Sequence, residues 1–411
     1  MRLLVVSQYF WPENFRVNDL VTELVARGHQ VTVLTGQPNY PDGHVFAEFR
    51  RDPAAFGRYA GGRVLRVPLI PRGTGKLRLV INYLSFVVSA GLLGPWRLRG
   101  EAFDAIFMFQ VSPVTSALPA LLLRRIKQVP MLMWVLDLWP DTLAGLGVVR
   151  SPRALGWVGD LVAFIYRRCD RVLVQSRAFI PNVEKYSGDA SRIRYFPAWA
   201  EPVFSGPLDE VEPAPELVPY RDTFNVLFAG NIGEAQDFPS ILDAAQALRD
   251  EPNLRWLIVG DGRTAAWVRR EIVARGLEHT VRLLGRHPVE RMPSFFRGAS
   301  ALLVSLKKDP IFAMTIPGKV QSYLATGLPV LGMLDGEGAA VIERAGAGVV
   351  CEAGAGLALA EGVRVLMGMS AQERSAMGLR GRLYCEKEFS RAGLMSAFEA
   401  WATELIQARA R

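Results

Sequence analysis

The sequence predicts an α/β protein with two doubly wound domains. Two observations lead to this fold class: short apolar strands alternate with amphipathic helices along most of the chain, and one proline-rich acidic segment interrupts the alternation. The length agrees, because 411 residues suffice for two domains of about 100 to 200 residues each. With half of its residues apolar and 21% charged, the composition excludes a disordered or collagen-like chain.

The first domain begins with an apolar run at residues 3–6, which predicts a buried parallel strand. An amphipathic helix over 17–27 follows, with Leu20 and Leu24 on its apolar face and Gly28 as the expected C-cap. This strand–helix–strand pattern is typical of a Rossmann-like domain. The further strands are predicted at 31–35, 63–67, 105–109, 131–136 and 171–175.

A linker is predicted at 199–222, which is rich in proline and acidic residues and lacks apolar periodicity. The alternation then restarts, so the domains are expected at 1–198 and 223–385, facing a central cleft where the carboxyl ends of the strands hold ligands. The strands of the second Rossmann-like domain are predicted at 226–229, 256–259, 281–284, 301–305 and 329–331, with helices at 239–249, 265–275 and 319–325.

Charge is unevenly distributed along the chain. Residues 1–200 contain 25 Lys and Arg against 14 Asp and Glu, whereas residues 201–411 contain 23 against 26. A basic half suits nucleic acid, an anionic membrane or a phosphorylated substrate. Basic residues flank the uncharged run 79–96 on both sides, which favours a membrane surface over nucleic acid. The flanking residues are Lys76, Arg78, Arg97 and Arg99.

The run 79–96 is as short as the shortest membrane-spanning helices and contains polar residues, glycines and a proline, so we reject a true span. Two interpretations stay open: a buried core helix, or a helix in the lipid interface with its arginines on headgroups. The three separated cysteines, Cys169, Cys351 and Cys385, predict a reducing compartment, and from the first residues we expect no secretion signal. A cytoplasmic protein, peripheral on the inner membrane, is therefore expected.

Two glycine loops follow strands of the second domain. The first contains Gly230, Asn231 and Gly233, and the second contains Gly262. Backbone amides at such turns, together with a helix N-terminus, bind phosphate or pyrophosphate. An ordinary strand-to-helix turn is the alternative, and the second loop lacks the third glycine of a dinucleotide fingerprint.

Positive charge in the second domain precedes and begins a helix. Lys308 and Thr315 lead to Lys319, whose point cation at the helix start suits a diphosphate leaving group, although a solvated lysine is the alternative. Glu337 lies between glycines at another helix start, where it would bind hydroxyl groups or cap the helix.

Polar and aromatic residues also follow two strands of the first domain. They are Glu13, Asn14 and Arg16 after the first strand, and Asp137 and Trp139 after a later one. Tryptophan beside carboxylates and amides is typical of sugar-binding sites, and loops packed on each other are the alternative. Because no two aspartates are spaced as D-x-D and the histidines form no ligand cluster, we expect no bound metal.

Several motifs resemble the retaining family-four glycosyltransferases of bacterial surface-polysaccharide synthesis, and the nearest subgroup resembles N-acetyl-L-fucosamine transferases. The similarity spans nearly the whole chain. The motifs are PENFR at 12–16, GHxVxVLT at 28–35, PNYP at 38–41, DLWPD at 137–141, FAGNIGEAQ at 228–236, KKDP at 307–310 and TIPGKVQSYLATGLPV at 315–330.

The resemblance implies a GT-B fold, in which the second domain holds a UDP-sugar, the first holds the acceptor, and a C-terminal helix at 386–411 crosses back to the first. It implies transfer with retention and without a metal, the departing diphosphate oxygen helping to deprotonate the acceptor hydroxyl. The protein mainly positions the reactants and neutralises charge.

This sequence departs from the family's E-x7-E signature, whose two glutamates contact the donor sugar and the ribose and would fall on Met314 and Ser322. The basic residue after the glycine turn is replaced by Gln236, and Asp137 lies near the place of the family's N-domain histidine. We therefore expect Ser322, Glu337, Lys308 and Lys319 to replace the missing donor contacts, with Asp137 and Lys319 as the catalytic residues.

The sequence thus predicts a metal-independent retaining transferase that moves a sugar, of the deoxy-amino class, from a UDP-sugar to a polyprenyl-diphosphate-linked glycan. Two alternatives remain: a catalytically inactive scaffold of the same fold, which the lost glutamates would suit, and a UDP-sugar 2-epimerase, against which the scarcity of histidines argues.

Overall fold

The computed structural model describes residues 1–73, 75–145 and 147–410, and the side chains of Lys76 and Ala410 lie outside this description. The chain divides into two compact units. Unit 1 contains residues 1–197 and 392–411, and unit 2 contains residues 198–391. Each unit is built around its own sheet.

Unit 1 contains, in its described residues, an eight-stranded sheet with the order β3-β4-β2-β1-β5-β6-β7-β8. All neighbouring strands pair in parallel except β3 and β4, which are antiparallel. The strands are β1 (Arg2–Val6), β2 (Gln30–Gly36), β3 (Arg58–Tyr59), β4 (Gly62–Val67), β5 (Ala105–Gln110), β6 (Met131–Val135), β7 (Arg171–Val174) and β8 (Ile193–Tyr195).

The helices that connect these strands cover the sheet, so the central strands β5 and β6 are buried along their whole length. In the first helix, Leu20 and Leu24 are buried as predicted, and Gly28 follows it with a φ of +85°. The helices are α1 (Arg16–Ala26), α2 (Ala47–Arg51), α3 (Lys76–Arg97), α4 (Leu118–Lys127), α5 (Asp141–Gly145), α6 (Pro152–Tyr166) and α7 (Ile180–Ser187).

Helix α3 contains the uncharged run 79–96. It buries Phe86 and Ala90 completely, but an apolar stripe along another side is at least half exposed. The stripe repeats every three to four residues, as one helix face does. It consists of Leu77, Val80, Leu84, Val88, Leu92 and Trp96. By length and composition alone, Leu77–Arg97 could cross a membrane, and only 22% of its apolar window is buried.

Unit 2 has, in the part described, a six-stranded parallel sheet with the order β11-β10-β9-β12-β13-β14. The predicted two-domain doubly wound fold is therefore confirmed. The strands are β9 (Phe224–Ala229), β10 (Leu254–Val259), β11 (Val281–Gly285), β12 (Ala301–Ser305), β13 (Val330–Met333) and β14 (Gly348–Cys351).

Helices of unit 2 cover both faces of this sheet, where two clusters of buried residues form the core. The remaining helices of the chain are α8 (Phe238–Ala247), α9 (Ala265–Ala274), α10 (Met292–Arg297), α11 (Pro310–Met314), α12 (Gly318–Thr326), α13 (Glu337–Ala345), α14 (Gly356–Gly368), α15 (Ala371–Glu388) and α16 (Arg391–Ala410).

The segment 199–222, expected as a linker between the two domains, belongs to unit 2. It forms short 3-10 helices at Pro202–Phe204, Leu208–Glu210 and Pro215–Tyr220. Its apolar residues are too widely spaced for a periodic pattern, yet Phe204 and Leu217 are buried in the unit 2 core, which fixes the segment in place.

The chain's last helix returns to unit 1. It begins at Arg391 rather than at the predicted Glu386, because α15 continues to Glu388. Phe389, which follows α15 in the chain and precedes α16, has a buried side chain. Within unit 1, Phe398 of α16 is completely buried, with its ring centroid 5.4 Å from that of Phe107.

Candidate functional site

Unit 2 contains a cavity of about 750 Å³ at the carboxyl ends of β9 and β10 and at the start of α12. This is the edge of a parallel sheet at which α/β proteins bind ligands. The lining combines backbone from glycine loops, polar side chains from α12 and an apolar wall. The apolar wall includes Phe204, Val289, Met292 and Phe296.

The glycine loops after β9 and β10 touch each other. The amide of Gly230 donates to the carbonyl of Val259 at 2.8 Å, and the amide of Ile232 donates to the carbonyl of Asp261 at 2.9 Å. Only glycine permits this approach: a Cβ on Gly260, at a φ of +149°, would lie 1.8 Å from the carbonyl oxygen of Gly230. The two loops therefore form one rigid rim of the cavity.

Lys319 is the second residue of α12 and lines the cavity. Its Nζ lies 3.5 Å from the ring centroid of Phe228 and packs against Gly230, where a Cβ would come within 2.7 Å of the lysine Cε. Within the described residues, this buried Nζ has no hydrogen-bond partner. Removal from water disfavours the ammonium form and lowers the pKa of Lys319 to about 7.

Helix α12 points its N-terminus at the same space. It starts at Gly318 without a side-chain cap, so its first amides are not occupied by a capping side chain. The hydroxyl of Tyr323 fixes the helix to β9, since it accepts from the amide of Ala229 at 3.1 Å and lies 3.2 Å from the Ala229 carbonyl. Backbone amides, a helix N-terminus and a buried cation are together groups that suit an anion.

Ser322, about one helical turn after Lys319 on α12, contacts the carboxylate of Glu201. The hydroxyl of Ser322 lies 2.6 Å from Oε2 of Glu201 and 3.0 Å from the carbonyl oxygen of Gly318, and both Ser322 and Glu201 line the cavity. Sequence reasoning missed Glu201, because this residue lies in the segment expected as a linker. No motif or periodicity there marks it as part of a site.

Five of the predicted donor residues line this cavity, and four do not. The lining residues are Gly230, Asn231, Gly262, Lys319 and Ser322. Each of the other four has a contact with another residue outside this lining. Gly233 donates to Gln236, Lys308 is exposed 3.5 Å from Glu352, Thr315 donates to the carbonyl of Phe312, and the buried Glu337 pairs with Arg344.

In unit 1, Glu13 lies behind the loops after β1 and β2 rather than on their surface, since only 2% of the residue is exposed. Its carboxylate accepts from three backbone amides: Phe10 at 3.0 Å, and Asn39 and Tyr40 at 2.8 Å each. Burial raises the pKa of Glu13 to about 7, against the effect of these hydrogen bonds. Glu13 therefore holds two loops together.

The neighbouring predicted residues have different surroundings. Asn14 is exposed, and Arg16 forms an ion pair of 3.3 Å with Asp19 on the first turn of α1. Both are placed beside the loop that Glu13 fixes, at the end of β1.

Asp137 follows β6, and its carboxylate accepts from three side chains. Its Oδ2 is bonded by Ser112 and by the indole of Trp139, at 3.2 Å for the indole, and its Oδ1 by Thr142. Trp139 is 9% exposed, so this ring packs under the loop rather than over it. The pair of Asp137 and Trp139 is thus part of a hydrogen-bonded loop.

Within the described parts of the chain, no group of three or more His, Cys, Asp or Glu residues is placed to hold a metal ion. Positive charge for a bound anion would come from Lys319, from Arg286, which also lines the cavity, and from the backbone amides around Lys319.

Comparison with known families accounts for both units. The family described as "Glycosyl transferase 4-like domain" matches residues 14–199, and the family "Glycosyl transferases group 1" matches residues 223–368. Each unit thus matches a family of glycosyltransferases, and the chain is a glycosyltransferase. Most of the residues that line the Lys319 cavity of this glycosyltransferase fall within the second match, residues 223–368.

The glycosyltransferase is 26% identical over 345 residues to WcaI of Escherichia coli (strain K12), named as a colanic acid biosynthesis glycosyl transferase, covering 80% of this chain and 82% of that protein. Among solved structures, Anabaena Alr3699/HepE in complex with UDP has a TM-score of 0.71 at 14% identity, covering 98% and 100% of the two chains. WaaG, a glycosyltransferase involved in lipopolysaccharide biosynthesis, has a TM-score of 0.63 at 16% identity, covering 98% and 99%. These structural likenesses show that the fold is GT-B.

Proposed function

We propose that this glycosyltransferase moves a sugar from a UDP-sugar to a lipid-diphosphate-linked glycan during bacterial surface-polysaccharide synthesis. The observation that carries the proposal is the buried ammonium of Lys319 in one cavity with two glycine loops and a helix N-terminus. This set of groups suits a diphosphate. The relative named for colanic acid biosynthesis and the UDP complex of HepE agree with the polysaccharide and the nucleotide.

The leaving group determines what the protein must supply. As the bond between the sugar and the diphosphate breaks, negative charge grows on the departing oxygen, and groups already aimed at that oxygen lower the barrier. Lys319 and the amides around Gly230 and Gly318 are held in place before any ligand arrives. They provide this charge stabilisation themselves, and so we propose a reaction without a metal.

Retention of the sugar's configuration is part of the proposal and rests on the family resemblance. The acceptor hydroxyl would lose its proton to the departing diphosphate oxygen, so that the new bond forms on the face from which the diphosphate leaves. The protein's share in such a reaction is to orient the reactants and to neutralise charge.

Unit 1 is proposed to hold the acceptor at its strand-end loops. Asp137 is the candidate catalytic residue there, with Asn14, Arg16 and Trp139 as candidate contacts. The hydrogen bonds to the Asp137 carboxylate fix its position, which suits a group that orients an acceptor hydroxyl. Glu13 contributes by shaping the loop.

We also propose that the protein works at the cytoplasmic face of the membrane, where a polyprenyl-linked acceptor would be found. The support is the exposed stripe of α3, beginning at Leu77 and ending at Trp96, with exposed Arg78, Arg97 and Arg99 beside it. Apolar side chains enter the headgroup boundary and arginines bind anionic headgroups.

The deciding experiment offers the pure protein a panel of UDP-N-acetylamino sugars with lipid-diphosphate-GlcNAc or lipid-diphosphate-GalNAc in detergent, with and without EDTA, and measures released UDP. We expect release with one donor that depends on acceptor and does not change with EDTA. Donor binding without any release would contradict transfer and favour the scaffold. Release that EDTA abolishes would contradict the metal-free mechanism alone.

A further inference from the structure

We propose that a basic pocket of unit 1 binds the diphosphate of the lipid-linked acceptor. The inference rests on the proposed function, because it assigns a place in unit 1 to one part of that acceptor. The pocket has a volume of about 540 Å³ and lies among the segments that follow β2 and β4, α2 and the first turn of α3. Its charged lining residues are His44, Arg50 and Arg78.

The charge of this pocket has one sign, since none of the described residues that line it is acidic. Arg50 and Arg78 are exposed, and neither forms an ion pair with a described residue, whereas the neighbouring Arg51 lies 4.0 Å from Glu48. Guanidinium groups bind phosphate oxygens through several N–H donors at once. Two guanidinium groups at one cavity, without a carboxylate beside them, therefore suit a diphosphate.

Backbone contacts hold the floor of the pocket. The amide of Gly73 donates to the carbonyl of Gly43 at 2.9 Å, and the amide of Gly43 donates to the carbonyl of Asn39 at 2.8 Å. A Cβ on Gly43, at a φ of +77°, would lie 2.9 Å from the carbonyl oxygen of Gly73. Arg78 packs on this floor, since a Cβ on Gly73 would lie 2.8 Å from the Arg78 Cγ, and its Nε donates to the carbonyl of Pro71 at 3.4 Å.

On one side, the pocket adjoins the exposed apolar stripe of α3. Arg78 is the third residue of that helix, and the stripe residues Leu77 and Val80 beside it are 75% and 50% exposed. A hydrocarbon chain that is joined to a diphosphate in the pocket can follow the stripe from Leu77 toward Trp96. A cationic pocket at one end of an exposed apolar helix face thus matches a lipid diphosphate better than a free phosphate.

On the other side, the pocket adjoins the loops proposed for the acceptor sugar. The loop after β2 also contains Tyr40, which is 36% exposed and whose ring centroid lies 5.4 Å from the guanidinium carbon of Arg72. Because β2, β4 and β6 run parallel in one sheet, this loop and Asp137 lie at the same edge. A glycan on the diphosphate can extend along this edge toward Asp137, which favours the acceptor over a phospholipid headgroup.

The test measures, by calorimetry in detergent, the affinity of the full chain for a prenyl-diphosphate-GlcNAc and for the same prenyl-GlcNAc without the diphosphate. We expect the unchanged protein to prefer the diphosphate compound about a hundredfold, since hydrogen bonds to each of two charged groups change affinity roughly tenfold. Arg50→Gln combined with Arg78→Gln should reduce this preference to within about fivefold and leave the affinity for UDP unchanged.

The matched control combines Arg51→Gln with Arg58→Gln, which removes two exposed arginines of unit 1 from outside the pocket and should change neither value. The single variants Arg50→Gln and Arg78→Gln serve if thermal unfolding shows that the double variant does not fold, and each should lower the preference about fivefold.

Three results would overturn the assignment. Equal affinity of the unchanged protein for the two compounds, or a preference that persists in the folded variants, would show that the pocket does not hold the diphosphate, while the proposed function stands. Loss of binding to phosphatidylglycerol vesicles in a double variant that keeps the preference would assign the pocket to a phospholipid headgroup. If the unchanged protein binds neither prenyl compound, the proposed acceptor itself is wrong.

Discussion

The strand-end loops of the two units differ in whether their charged side chains have hydrogen-bond partners. In unit 1, the carboxylates of Glu13 and Asp137 each accept three hydrogen bonds, from their own loop and from a neighbouring one. In unit 2, the buried ammonium of Lys319 has no hydrogen-bond partner among the described residues. A satisfied buried charge stabilises its surroundings, whereas an unsatisfied one costs stability until a ligand completes it. From this comparison we expect unit 2 to be preformed for an anion, whereas these two carboxylates of unit 1 shape its loops.

The largest effect is expected from removing the unsatisfied charge. Lys319→Ala should lower the rate of transfer at least a hundredfold, because loss of a preformed group at the developing negative charge has effects of that size. Its thermal stability should stay the same or rise, since a desolvated cation is removed. The measurement is UDP release at saturating donor. Lys387→Ala, at an exposed position of α15, is the matched control. A variant that keeps a third of the turnover would refute the leaving-group role.

Removing the carboxylate of Glu13 in unit 1, which has its hydrogen-bond partners, should instead lower the stability of the protein. Glu13→Ala leaves three buried amides without their acceptor, so we expect the free energy of unfolding to fall by about 2 to 4 kcal/mol. Urea unfolding measures this change. Glu184→Ala, which removes an exposed carboxylate of α7, should stay within about 0.5 kcal/mol. Equal stability of the two variants would show that Glu13 does not hold the loops.

A pH series would sharpen the comparison. Lys319 has a pKa of about 7 before a ligand binds, so below this pH it is already charged and above it a proton must be taken up with the diphosphate. The affinity for UDP should therefore fall as the pH rises above 7, by up to tenfold per unit. Lys319→Ala should lose this dependence, and the ionisation of the phosphate itself is common to both proteins. Parallel pH profiles of the two proteins would contradict the assignment.

The smallest effect is expected outside the strand-end loops, on α3. The double change Leu84→Ser and Val88→Ser removes apolar area from the middle of the exposed stripe. Binding to vesicles that contain anionic lipid should weaken about fivefold in co-sedimentation. Val218→Ser changes an exposed apolar residue of unit 2 and should have no effect. Binding that is equal in all three proteins would locate the membrane contact elsewhere or exclude it.

Much of the fold could be predicted from the sequence because parallel strands leave a local signal. Buried strands such as β5 and β6 are continuous apolar runs, and the amphipathic α1 repeats its apolar residues every three to four positions. Loops after neighbouring parallel strands must converge at one edge of the sheet, so the approach of Gly230 and Gly262 to one cavity could also be predicted from the sequence. The packing of segment 199–222 could not be predicted, because a few widely spaced side chains such as Leu217 hold it in place through contacts with residues far away in the sequence.

The site was only partly predictable for the same reason. Lys319 at a helix start is a local pattern, whereas its position over Phe228 depends on two elements that are far apart in sequence. The contact between Ser322 and Glu201 joins residues separated by 121 positions. No spacing rule along the chain encodes such a pair, and only the folded structure brings the two residues together.

The return of α16 to unit 1 has a consequence for the growing polypeptide. Phe398 completes a core that includes Phe107 and Phe196, yet the ribosome adds it only after the whole of unit 2. The second unit can therefore mature first, while the earlier-made one waits with these aromatic rings uncovered. A nascent chain stalled near residue 390 would lack these contacts, and the core of unit 1 is complete only after the last helix has been synthesised.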